Sequence, residues 1–120
     1  MDEHRDPTQT DPDKYSVLFE NDHVRVLNYQ DKPGDRTQPH YHPASVMYTL
    51  STFSRRLAAG DRSVVVTKNP GEVNWLDAQE HFGENVGDTD THVIFVELKN
   101  AARQDKAADP TPDPLGPQEN

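Results

Sequence analysis

Turn-forming pairs break this chain at short, regular intervals and leave no stretch long enough for a substantial helix. Asn21-Asp22 separates SVLFE (16–20) from HVRVLNY (23–29), which reads as a hairpin, because such a pair suits the tight turn between two strands. Lys32-Pro33-Gly34-Asp35 is a second turn, after which TQPHYH (37–42) is extended and Pro43 bends the chain into SVMYTLSTF (45–53). RRLAA and SVVVT (63–67) flank Gly60-Asp61, and Pro70-Gly71 leads into EVNWL (72–76). EHFGEN (80–85), the turn at Val86-Gly87-Asp88-Thr89 and HVIFVEL (92–98) complete the pattern. Nowhere do apolar residues recur at i, i+3, i+4 and i+7 over three turns, and the strand runs favour β-branched and aromatic residues. The sequence therefore predicts an all-β fold, a small antiparallel β-barrel or jelly roll, with no internal repeat beyond the strand-turn rhythm.

The pattern covers only the middle of the chain. Residues 1–14 and 100–120 hold six of the ten prolines (Pro7, Pro12, Pro110, Pro112, Pro114 and Pro117) and almost no large apolar side chains. Such segments bury too little surface to offset the entropy of ordering, so both are expected to be disordered tails around one domain over 15–99. A domain that small gains from burying surface against a second copy, and a homodimer is expected.

Charge and composition exclude several functions. The formal net charge is −9. No basic stripe is present to neutralise phosphates, so nucleic acid is not an expected partner. No apolar run approaches the roughly eighteen residues of a membrane span, and no apolar leader opens the sequence. A cytoplasmic protein without membrane attachment is the expectation. With no cysteine, disulfides, thiolate nucleophiles and sulfur-ligated metals are ruled out.

Within GDRTQPHYHP, His40 and His42 stand two residues apart on an extended segment, which places both imidazoles on one face. His81 begins another strand, and a barrel that laid the two strands side by side would gather three imidazoles around one point. Three neutral imidazoles suit iron(II), nickel, copper, zinc or manganese and leave coordination positions open. The remaining histidines carry no such pattern. His4 lies in the N-terminal tail, while His23 and His92 begin strands. Glu84 follows His81 by three residues and so falls on the opposite strand face, and Trp75 reads as core or dimer packing.

These residues resemble the two motifs of the cupins. Gly34, five residues and His40-Tyr41-His42 match the first motif, in which a glutamate follows after three or four more residues. Gly60-Asp61 falls where that motif's late glycine turn belongs. Gly71 opens the second motif and His81-Phe82-Gly83-Glu84-Asn85 closes it, with Asp77 and Ala78 where proline and glycine are usual. The resemblance spans Val17 to Leu98 and implies a jelly-roll β-barrel with His40, His42 and His81 as metal ligands. The glutamate is missing: its place falls on Val46 or Met47, or on Ser45 when counted back from Tyr48-Thr49-Leu50.

A divalent metal held by three neutral ligands keeps its full charge, so the resemblance implies an anionic, bidentate small-molecule substrate such as an enolised diketone. It implies a non-haem iron(II) dioxygenase first, with zinc, nickel, manganese or copper as other metals. A metal-dependent isomerase, cyclase or lyase, a non-catalytic binding module and a metal-free structural protein are the competing classes. Gln38, Met47 and Tyr48 are candidates to line the pocket, and no residue can be named as the catalytic base.

Overall fold

The computed structural model describes residues 5–99 and 115–117. After a short helix α1 (Pro7–Thr10), nine strands follow: β1 (Tyr15–Glu20), β2 (Val24–Asp31), β3 (His40–His42), β4 (Ser45–Thr49), β5 (Phe53–Ala59), β6 (Arg62–Lys68), β7 (Val73–Leu76), β8 (Gln79–Asn85) and β9 (Thr91–Leu98). They form two antiparallel sheets, one ordered β1-β2-β9-β4-β7 and the other β3-β8-β5-β6. From β3 onward the chain passes back and forth between the sheets, which is the jelly-roll path. The fold is the expected jelly roll, built as two sheets around one core rather than as a closed barrel.

Strict alternation in β9 buries Thr91, Val93, Phe95 and Glu97 and turns His92, Ile94 and Val96 outward. Val93 and Phe95 meet Leu27, Tyr29, Met47, Leu76, Tyr15 and Phe53 in the apolar core. One expected strand is two. SVMYTLSTF breaks after Thr49, and the chain crosses from the five-stranded sheet to the four-stranded one before Phe53. Ser51 donates to the Asp90 carbonyl and the Thr52 carbonyl accepts from Thr89, which satisfies the backbone at the crossing. The β-branched composition hid this break because Ser51 and Thr52 read as strand residues.

Residues 1–14 were expected to be a disordered tail, and residues 5–14 are packed against the sheets. Asp6 caps α1 by accepting from the Thr8 amide and pairs with Arg25 at 3.0 Å. The Asp11 carboxylate is buried and accepts from the Gln38 amide, while the Tyr41 amide donates to the Arg5 carbonyl. Composition alone missed the segment because polar contacts, rather than apolar burial, hold it. Of the expected C-terminal tail, residues 100–114 and 118–120 lie outside the described residues. Among the described residues no helix is long and apolar enough to cross a membrane.

A buried ion pair ties the sheets together. Arg55 on β5 donates to Asp31 on β2 at 2.7 Å, to Thr91 at 3.1 Å and to the Tyr29 hydroxyl at 3.1 Å. Tyr29 donates to the same carboxylate, and Asn85 donates to its second oxygen at 3.1 Å. Burial opposes the charge on Arg55, and the neighbouring Tyr29 and Asp31 outweigh it, so the guanidinium is held charged. The guanidinium lies so close to β8 that a Cβ at residue 83 would sit 2.7 Å from Arg55 Nη2, which is why Gly83 stands there.

Replacing Asp31 by alanine leaves a buried guanidinium without its counter-charge. It should lower stability by roughly 3–5 kcal/mol, seen as a lower urea midpoint at unchanged slope. The paired exchange Asp31→Leu with Arg55→Met should recover most of that loss.

Candidate metal centre

β3 and β8 are antiparallel neighbours with His40 directly opposite His81, and His42 projects from the same face of β3 as His40. All three imidazoles are buried. Their ring centroids lie 4.7 to 5.2 Å apart, and one ligand atom from each falls within 4.8 Å of the others. The structure thus gathers the three histidines that the sequence singled out.

Each Nδ1 faces an acceptor. His40 Nδ1 lies 2.8 Å from the Gln38 carbonyl, His81 Nδ1 lies 2.8 Å from Gln79 Oε1, and His42 Nδ1 lies 3.4 Å from Glu97 Oε2. Because a carbonyl, an amide oxygen and a carboxylate can only accept, the ring protons belong on Nδ1. The Nε2 lone pairs are then left facing one another, with those of His40 and His42 only 3.1 Å apart. Lone pairs that converge with no proton between them repel, and a cation resolves the conflict. Protonation of His40 or His81 does not. Burial, then the neighbouring imidazole of His42, pushes the pKa of His40 down to about 3, and burial with both other histidines holds His81 well below its ordinary value. The donor set fits a divalent transition metal that accepts nitrogen ligands.

The cluster opens into a cavity of about 40 Å³. Its walls are chiefly apolar, with Met47, Phe53, Leu57, Leu76 and Phe95 among them, and among the described residues no carboxylate lines it. Met47 faces the cavity from β4, whereas Val46 is half-buried on the other strand face and the Ser45 hydroxyl is turned to the Pro43 carbonyl. Of the candidate lining residues, Met47 lines the cavity, Tyr48 points outward and Gln38 contributes its carbonyl behind His40. Glu84 pairs with Arg56 away from the site, His92 Nε2 donates to Asn28 Oδ1 on the outer face, and His23 is exposed. The Trp75 indole donates to Asp77, and His4 lies outside the described residues.

Three contributors were missed. The Tyr15 hydroxyl lies 3.4 Å from Nε2 of both His40 and His42, and the Arg55 guanidinium lines the same cavity. Glu97 backs His42 while paired with Arg25 at 2.9 Å. Only Glu97 left a trace in the sequence: the alternation of HVIFVEL puts a carboxylate at a core position, which requires a buried partner. Tyr15 and Arg55 look like any strand residue until the sheets are assembled.

The depressed His40 and His81 values give the metal-free protein a defined acid sensitivity. Below the unfolded value of 6.5 the unfolded chain binds protons that folded His40 refuses until about pH 3. Stability should therefore fall as pH drops through that window, because the unfolded chain takes up protons that the folded histidines refuse. Thermal midpoints of metal-free protein measured from pH 7 to 4 should show it, and the decline should be shallower in His40→Gln.

No family model matches the chain, and no curated protein does. Solved structures do. A cupin domain from Bordetella pertussis Tohama I is 25% identical, with a TM-score of 0.66 over 71% of this chain and 91% of that one. A protein with a double-stranded β-helix domain from Klebsiella pneumoniae is 21% identical, with a TM-score of 0.57 over 72% and 76%. The polyketide cyclase RemF from Streptomyces resistomycificus is 21% identical, with a TM-score of 0.53 over 70% and 63%. The chain thus has the fold of these cupin domains, with three buried histidines gathered at its core and Met47 facing them at the spacing where the motif has glutamate.

Proposed function

We propose that the chain is a metal-dependent small-molecule enzyme, a non-haem iron(II) dioxygenase acting on a bidentate, anionic, diketone-like substrate. The observation that carries this reading is a buried cluster of three imidazoles in a cavity that, among the described residues, no carboxylate lines. Bound there, a divalent metal would supply an uncompensated Lewis-acidic charge, and iron(II) would add reactivity toward dioxygen. His40, His42 and His81 hold no exchangeable proton toward the cavity and so act as ligands, not as acids or bases. Asp31 already meets the charge of Arg55, so the preference for an anion would rest on the metal, and the apolar walls exclude competing water. Burial holds the Tyr15 phenol above its ordinary pKa, so its hydroxyl is neutral and can donate to an oxygen placed beside the two Nε2 atoms.

That hydroxyl favours a second reading, a metal-dependent isomerase, cyclase or lyase in which Tyr15 hands a proton to a polarised substrate without any use of oxygen. One experiment separates the readings. Protein expressed in minimal medium is analysed for metal, loaded with iron(II), zinc, nickel, manganese or copper, and mixed with diketones and hydroxy-ketones with and without air. Oxygen uptake matching substrate loss is expected for the iron form. Turnover without air would support the second reading, and metal binding with no turnover would leave a ligand-binding module. One metal per chain is expected. Alanine at His40, His42 or His81 should cost more affinity than the roughly 10–100-fold typical of losing an outer-shell partner, while His23→Ala and His92→Ala should leave it unchanged.

The acting form is read as a cytoplasmic homodimer. A single cross-strand row on the outer face of the five-stranded sheet runs Phe19, Val26, Val96, Val46 and Trp75. On a chain of net charge −9, this is a face where two copies can meet without opposed carboxylates. Light scattering at micromolar concentration should give twice 13.6 kDa, and Val46→Glu should shift the protein to monomer.

A further inference from the structure

One wall of the histidine cavity is contributed by a piece of chain that lies outside both sheets. Pro117 lines the cavity together with His40, His42 and His81. Gly116 beside it is buried and adopts φ +82°, and its amide donates to Gln79 Oε1 at 2.9 Å. The same oxygen receives His81 Nδ1 at 2.8 Å. Gln79 Nε2 in turn donates to the Asp77 carbonyl at 2.9 Å, which fixes which end of the amide faces the histidine and the glycine. One oxygen atom therefore both orients a member of the histidine cluster and seats the turn Leu115-Gly116-Pro117. The seat fits glycine closely. A Cβ at residue 116 would stand 2.9 Å from Leu57 Cδ1, and Leu57 is itself a wall of the cavity. With the turn in place, the space left, about 40 Å³, holds on the order of three water-sized groups.

We propose that Leu115-Gly116-Pro117 is a specificity wall of this site, and that Gln79 is a positioning residue that links it to His81. While seated, the wall admits ligands of only a few atoms. A diketone-sized substrate enters when the turn leaves, and its departure takes the Gly116 amide off Gln79 Oε1. The inference deepens the metal-enzyme reading by assigning what limits access, and its test does not require metal to be bound.

The test uses the full chain, metal-free, and measures the rate of imidazole carbethoxylation by diethyl pyrocarbonate at each histidine by peptide mass spectrometry. In the native protein His40, His42 and His81 should react far more slowly than exposed His23. Gly116→Val puts a β-branched side chain where neither the backbone angle nor Leu57 leaves room, and it should raise the three rates at least tenfold with His23 and His92 unchanged. Gly116→Ala should give a smaller rise in the same three. Gln79→Ala should match Gly116→Val in this readout and also weaken zinc binding, whereas Gly116→Val should leave zinc stoichiometry intact and speed zinc extraction by dipicolinate. Equal rates in native protein, Gly116→Val and Gly116→Ala would overturn the wall. Should Gly116→Val fail to fold, Gly116→Ala decides alone. A native protein that binds no zinc yet shows protected histidines released by Gly116→Ala would refute the metal reading and leave the wall standing.

Discussion

Everything at the site rests on the register of β3 against β8. With His40 opposite His81, the three imidazoles converge; a slip of one residue would send His40 and His42 to the other face of the sheet. Yet β3 is three residues long and could not hold a register by its own ladder. The segment before it is fixed by hydrogen bonds to β8: the Thr37 amide donates to the Gly83 carbonyl, and the Gly83 amide donates to the Thr37 hydroxyl. From the other side, Arg5 and Asp11 accept the amides of Tyr41 and Gln38. The N-terminal segment is thus part of what aims the histidines. The glycine at residue 83 serves twice, since a side chain there would also displace Arg55 from the buried pair that joins the sheets.

The fold was legible because turn pairs and strand periodicity agree over nearly the whole central region. The histidines were legible because an i, i+2 pair on a strand has only one geometric meaning. What stayed hidden shares a single cause: contacts between residues far apart in sequence that are polar rather than apolar. Asp11 meets Gln38 across 27 residues and Arg25 meets Glu97 across 72, and neither pair has a periodic signature. The break in SVMYTLSTF was hidden for a related reason. Composition reports that residues are suited to a pleated surface, and does not report which of two sheets they join. Met47 shows the limit most clearly, because one residue of parity around Pro43 decides whether it or Val46 faces the metal position.

The distribution of charge around the cluster follows from the same geometry. Asp11 Oδ2 lies 3.9 Å from His40 Nδ1 and Glu97 Oε2 lies 3.4 Å from His42 Nδ1, so the negative charges stand behind the imidazoles and not among the would-be ligand atoms. Glu97 and the Gln38 carbonyl hold the His42 and His40 rings in one tautomer, and negative charge behind a ring makes it a better donor. Glu97 does little to neutralise a cation in front, because Arg25 already offsets it. Moving the carboxylates one shell outward keeps the ligands oriented and leaves the cation's charge available to whatever enters the cavity. Under the metal-enzyme reading such a site would discriminate by charge first, and by size through the wall proposed at Leu115-Gly116-Pro117.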